Sequence, residues 1–331
     1  MTPRWTGFKS PLASGIRQYV ASKRALGRKF ATEERALHLL DHFLVEHRVQ
    51  SIEEISPEIL ASFMASRPRK GPKSYNNLLG IVRRLLNWLV THGLLSSSPL
   101  RVNPRRETAH RLPFLFDPPT ARLLLEAASR VPDGSRAPLR ASTYHAVFAI
   151  LYGLGLRVAE VAHLCCGDVD LDRNVLTVRR GKFGKNRLVP FGPRMAALLQ
   201  RYHGERQTRG MSVSPDAPWF SFNGARPIST NSIRNVFRDR LVPELNLMCP
   251  PGTSRPTVHC LRHSFAVGTL LRWYRTGENL AARLQHLSTF LGHVNTNATA
   301  VYLTITADLL REANDRFEAF ARPLVSKEVT P

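Results

Sequence analysis

Residues 166–191 read CGDVDLDRNVLTVRRGKFGKNRLVPF. Val175, Thr177 and Val178 precede a glycine-containing turn, and Leu188 and Val189 follow it. Branched and aliphatic residues on both sides of such a turn predict a small antiparallel sheet. Outside this stretch the periodic segments are helical. The fold class expected is therefore mainly α with one small antiparallel β-sheet.

Upstream, Asp117 opens the helical segment DPPTARLLLEAASR, and STYHAVFAILYGLG is closed by Gly153 and Gly155. From residue 192 onward the chain returns to helices. Nearer the start, Ile16, Tyr19 and Val20, then Leu37, Leu40, Phe43 and Leu44, recur at helical spacing. Ser56-Pro57-Glu58 is an N-cap followed by a first turn, and Gly93 reads as a helix stop. Residues 12–97 thus predict four helices. Ser, Pro and Arg without periodicity over 98–113 predict a basic linker. The expected division is a helical domain over 1–97, the linker 98–113, and a second domain over 114–331. A last amphipathic helix is expected at 306–322, with Leu309, Leu310, Ala313, Phe317 and Phe320 on one face.

Forty-seven Lys and Arg stand against 25 Asp and Glu, for a net charge of +22. Residues 1–107 hold 18 of the cations and 8 of the anions, so both halves are basic. A surplus of this size, spread over the chain, points to a polyanionic partner, because neutralising phosphates releases counterions. Cys165, Cys166, Cys249 and Cys260 form no CxxC pair and no zinc spacing, as in a reduced cytosolic protein. No 18-residue apolar run and no signal-peptide core occur, so a soluble intracellular protein away from membranes is expected.

Five places carry polar residues able to do chemistry. In GLGLRVAEVAHL a glycine-rich turn delivers Arg157 to a helix start, with Glu160 three residues on. Such an arginine offers a planar fork to a phosphate, although the pair also reads as a plain surface ion pair. Lys182 and Lys185 sit in the predicted hairpin turn, where a lysine can protonate a leaving oxygen or stay solvated. His259 and Arg262 lie three apart on a helix opening after Pro256, which aims them to one side. His263, next door, faces elsewhere and reads as scaffold. His293 follows the stretch STFLG, and Tyr302, after the polar NTNATA, lies nine residues beyond it. Singly, each has an ordinary packing role. Together they supply two guanidinium forks, a general acid, imidazoles and a hydroxyl nucleophile, a set able to open a phosphodiester without a metal. No HExxH, carboxylate cluster or P-loop accompanies them, so no cofactor, metal or ATP is expected.

The segments GLGLRVAEVAHL, GKFGKNRLVPF, HCLRHSFA and LGHVNTNATAVY resemble the motif set of the tyrosine recombinase, or phage integrase, family. The likeness spans about 114–325, and the first domain resembles the family's core-binding domain. It implies a site-specific DNA recombinase, integrase or transposase of a bacterial mobile element, cutting and rejoining strands through a 3′-phosphotyrosine. It further implies double-stranded DNA as partner, a homo-tetramer on DNA with or without related recombinases, and a cytoplasmic, nucleoid-bound location. Carried over by position, Arg157 and Arg262 hold the scissile phosphate, Lys182 protonates the leaving 5′-oxygen, and Tyr302 attacks. His259 and His293 assist proton transfer, while Glu160 orients Arg157. Where the family turn reads G-K-G-x-K-x-R, this chain has Phe183 at the second glycine, which keeps Lys185 as the rival proton donor. Two other readings share the features: a type IB topoisomerase, and a DNA-binding protein that retains the fold without catalysis.

Overall fold

The computed structural model describes residues 7–69, 71–107, 111–179, 186–293 and 295–303. They fall into two compact units that divide between His110 and Arg111.

The first unit contains α1 (Ala13–Ala25), α2 (Ala31–Glu46), α3 (Pro57–Ala65) and α4 (Pro72–Thr91). Gly27 and Phe30, with φ of 75° and 51°, break α1 from α2. Ser56 caps α3 by accepting from the Ile59 amide at 3.4 Å, with Pro57 in the first turn. Gly93 leaves α4 with φ of 70°, as its place in the sequence predicts. Leu78, Leu79, Val82, Leu85, Leu86 and Leu89 make α4 the inner helix, packed on Ile16, Tyr19, Leu40 and Phe43. Truncating Leu85, which is fully buried, to alanine would cost about 2–5 kcal/mol.

The second unit is arranged around α6 (Arg140–Gly153), which buries Ala146, Val147, Phe148, Ile150 and Leu151 on nearly every side. A helix apolar all round belongs in the middle of a core. Against it pack α5 (Pro118–Ser129), capped by Asp117 on the Thr120 amide at 2.8 Å, and α8 (Pro193–Thr208). After α6 comes the one-turn α7 (Val158–Ala162). The predicted sheet is present, with β2 (Val175–Val178) paired antiparallel to β3 (Arg187–Pro190) and an added short β1 (Val169–Asp170), in the order β1-β2-β3. Leu176 lies opposite Val189, and Val178 opposite Arg187. Lys182 and Lys185 lie outside the described residues.

Beyond α8, α9 (Thr230–Val236) runs through a π-helical turn, Phe237–Leu241, into the short α10 (Val242–Glu244). Then come α11 (Val258–Arg275), α12 (Leu280–Leu291), α13 (Asn297–Ala300) and a 3₁₀ turn, Val301–Leu303. Ala266, Val267, Leu270, Leu287, Leu291 and Tyr302 form a separate small core there. The helix expected at 306–322 lies outside the described residues. Among those residues no helix is long and apolar enough to cross a membrane.

Candidate active site

The turn before α7 sets the first arginine. Gly155 has φ of 61°, and a Cβ there would stand 2.5 Å from Phe265 and 3.1 Å from Leu291. Glycine alone fits, and its carbonyl accepts from Arg262 Nη1 at 2.6 Å. Arg157 follows in extended conformation as the N-cap of α7. Glu160 reaches back to its amide at 2.9 Å, supplying an acceptor for a helix N-terminal donor. The same carboxylate accepts from Arg157 Nη1 at 2.7 Å, so one local contact shapes both the helix start and the guanidinium.

Glu160 is not a surface residue, since its side chain is only 6 % exposed. It also takes a two-pronged clamp from Arg187, at 2.9 Å from Nη1 and 2.8 Å from Nη2. Burial by itself would raise its pKa. The hydrogen bonds and charge of Arg187, with those of Arg157, outweigh burial and hold it at about 2. It is therefore ionised at neutral pH.

Three guanidinium groups meet the end of α12. Arg187 Nε donates to the Phe290 carbonyl at 2.8 Å, Arg262 Nη2 to Leu291 at 2.6 Å, and Arg157 Nη2 to Gly292 at 2.9 Å. These are successive carbonyls at a helix C-terminus, where acceptors lack helical partners and the dipole is negative. Gly292 ends the helix with φ of 66°, and the chain turns there to present His293. The three arginines thus fix the histidine's turn and each other.

Arg262 is only 2 % exposed. Burial, and next the neighbouring Arg157 charge, lower its pKa to about 10, which leaves it charged at neutral pH. Its two named acceptors are neutral carbonyls, while the Glu160 carboxylate is clamped by Arg157 and Arg187. Among the described residues, these three cations against the one carboxylate make a site that favours a further negative group.

Tyr302 is packed and polar at once. It is 4 % exposed in the small core, yet its hydroxyl lies 3.0 Å from His263 Nδ1. Burial raises its pKa, opposed by the charges of Arg262 and Arg157. His263 is held near 4 by burial, then by His259 and Arg262, so its ring is neutral and able to accept a proton at neutral pH. His259 stands perpendicular to His263 at 4.5 Å between ring centres. Partial burial and the charges of Arg262 and Arg157 lower its pKa too. His293 is held near 4 for the same reasons; its Nδ1 lies 2.7 Å from Thr299 Oγ1, and its ring centre 6.4 Å from that of Tyr302.

The structure brings Arg157, Glu160, His259, Arg262, His293 and Tyr302 together. It corrects the sequence reading of His263. Positions 259 and 263 are one helical turn apart and share a face of α11, whereas Arg262 points inward to Gly155 and Leu291. His263 therefore contacts Tyr302 instead of facing elsewhere. Arg187 also went without a role in the sequence. In the structure it is paired across the strands with Val178, on the sheet's buried face, and its partners lie on other elements.

The Phage integrase family profile matches residues 120–308. A Sinorhizobium fredii protein named as an integrase/recombinase, y4rB, is 30 % identical over 319 residues, covering 93 % of this chain and 98 % of that protein. Tyrosine recombinase XerC of Pediococcus pentosaceus is 28 % identical over 247 residues, covering 74 % and 75 %. Among solved structures, the Tn1549 transposon integrase in complex with a circular intermediate DNA has the same fold, with a TM-score of 0.62 at 18 % identity over 92 % of this chain and 99 % of that one. So has the XerH site-specific recombinase bound to palindromic difH substrate, at 0.62 and 19 % over 87 % and 79 %. With the profile covering more than half the chain and a full-length relative at 30 % identity, this protein belongs to the phage integrase family of tyrosine recombinases.

Proposed function

We propose that this protein is a site-specific DNA recombinase that cleaves and rejoins strands through a covalent phosphotyrosine at Tyr302. The observation that carries the reading is a tyrosine hydroxyl 3.0 Å from a neutral imidazole, beside two arginines with an excess of positive charge. Tyr302 Oη attacks the scissile phosphorus, its proton passes to His263 Nδ1, and a 3′-phosphotyrosine forms as the 5′-oxygen leaves. Lys182, with Lys185 as the alternative, returns a proton to that oxygen. Arg157 and Arg262 stabilise charge on the non-bridging oxygens. Each has used two N–H groups on protein acceptors, and a guanidinium carries five. His259 and His293, neutral at pH 7, donate hydrogen bonds to the same oxygens. Glu160 orients Arg157. Rejoining runs the steps backward with a different 5′-hydroxyl, so the bond energy is kept and no nucleotide is consumed.

Exchange between two duplexes breaks four strands, and each chain offers one tyrosine, so four copies act together. The first unit grips the duplex as a core-binding domain, and 98–113 links it to the catalytic domain.

A library of nicked duplexes that lose a short fragment on cleavage tests the reading. The wild-type protein should become covalently attached to a defined subset, and Tyr302→Phe should bind DNA without attachment. Relaxation of supercoiled plasmids lacking any captured sequence would instead indicate a topoisomerase.

A further inference from the structure

Arg187 contacts the site without lining it. Its side chain is 10 % exposed, and all three of its nitrogens donate within the protein. Nη1 and Nη2 hold the two oxygens of Glu160, and each oxygen also receives a hydrogen bond from Arg157. Nε holds the Phe290 carbonyl, next to the carbonyls that Arg262 and Arg157 hold. The guanidinium also packs against Gly292, where a Cβ would come within 2.8 Å of Nη1.

We infer that Arg187 is a positioning residue for strand cleavage, locking the Arg157–Glu160 pair to the end of α12 and so to the His293 turn. This rests on the cleavage reading above. The geometry needs a planar group: two parallel bonds to a carboxylate on one edge, and a third, from Nε, to a helix carbonyl. A lysine has one charged nitrogen on a flexible stem and cannot make both sets together. Losing the lock leaves Glu160 tied to Arg157 alone. The fork of Arg157 is then held only by its own bonds to Glu160 and the Gly292 carbonyl, with the carboxylate no longer fixed from its other side, while the net charge of the site is kept by a lysine. The effect falls on the rate of cleavage and spares DNA affinity, which many other phosphate contacts supply.

The test uses the full-length protein and a nicked duplex captured by the wild type from the random library. Arg187→Lys, Glu160→Gln and the double variant are compared in single-turnover cleavage and in DNA binding. We expect Arg187→Lys to cleave roughly 10- to 100-fold more slowly while binding changes less than about 3-fold. We expect the double variant to be about as slow as the slower single one, because both substitutions break one lock. Cleavage by Arg187→Lys at the wild-type rate would overturn the inference. So would losses that multiply in the double variant, or a loss confined to DNA affinity. If Arg187→Lys does not fold, Arg187→Gln is taken through the same cycle; unfolding of both would make Arg187 a residue of the fold and nothing more. Failure of the wild type to form any covalent adduct is a different result, and sinks the cleavage reading itself.

Discussion

The Tyr302 hydroxyl and His263 Nδ1 stand 3.0 Å apart, although 39 residues separate them in the chain. The pair joins the 3₁₀ turn to α11 and gives the buried phenol a neutral partner.

Replacing that partner tests its part in the chemistry. His263→Phe keeps an aromatic ring but cannot accept a proton. Adduct formation should slow about 10²-fold, a usual loss for a removed general base, with DNA binding unchanged. An unaltered rate constant in single-turnover cleavage would assign the proton elsewhere.

The arginine forks come next. Arg157→Lys and Arg262→Lys should each slow cleavage by about 10²-fold or more, with a smaller loss of DNA affinity. They should differ in stability. Arg262 is buried on two carbonyls, so its substitution should also cost about 1–3 kcal/mol in urea unfolding, whereas the more exposed Arg157 should cost less.

Much of this is legible in the sequence. Helical spacing placed Ile16, Tyr19, Leu37 and Leu40 in a core, and the glycine turn between Val178 and Leu188 placed the sheet. The Arg157–Glu160 pair was visible because it is local, three residues apart. What stayed hidden is non-local. Arg187 meets Phe290 across 103 residues, and Arg262 meets Gly155 across 107. No periodicity encodes such meetings, and His263 looked like scaffold because its partner lies on another element. For Tyr302 the fold provides packing and a polar contact together.

The pH dependence of stability has a definite sign. His263 and His293 have pKa values pushed down to about 4, so the folded state keeps them neutral while the unfolded chain takes up protons below about 6.5. Their contribution is present above pH 6.5 and is lost as pH falls toward 4. Glu160, faced by Arg157, Arg187 and Arg262, adds a second loss from its ordinary range near 4.5 down to about 2. Unfolding free energy by urea should fall steadily from pH 7 to 4. Glu160→Gln should flatten only the lower part of the curve.

Glycines give a sharper structural check. Gly292→Ala places a Cβ 2.8 Å from Arg187 Nη1 at φ of 66°, and should cost about 1–2 kcal/mol as well as slow cleavage. Gly268→Ala, inside α11 with open space around it, should instead stabilise the protein by about 0.5–1 kcal/mol. Equal effects of the two in thermal unfolding would contradict the packing described at Gly292.

The most direct measurement is to map the covalent bond. The protein is incubated with the captured nicked duplex in EDTA without ATP, digested with protease and nuclease, and the peptides are analysed by mass spectrometry. The expected result is a nucleotide attached through phosphate to Tyr302, absent from Tyr302→Phe. Attachment at another residue, or cleavage with no covalent link, would contradict it.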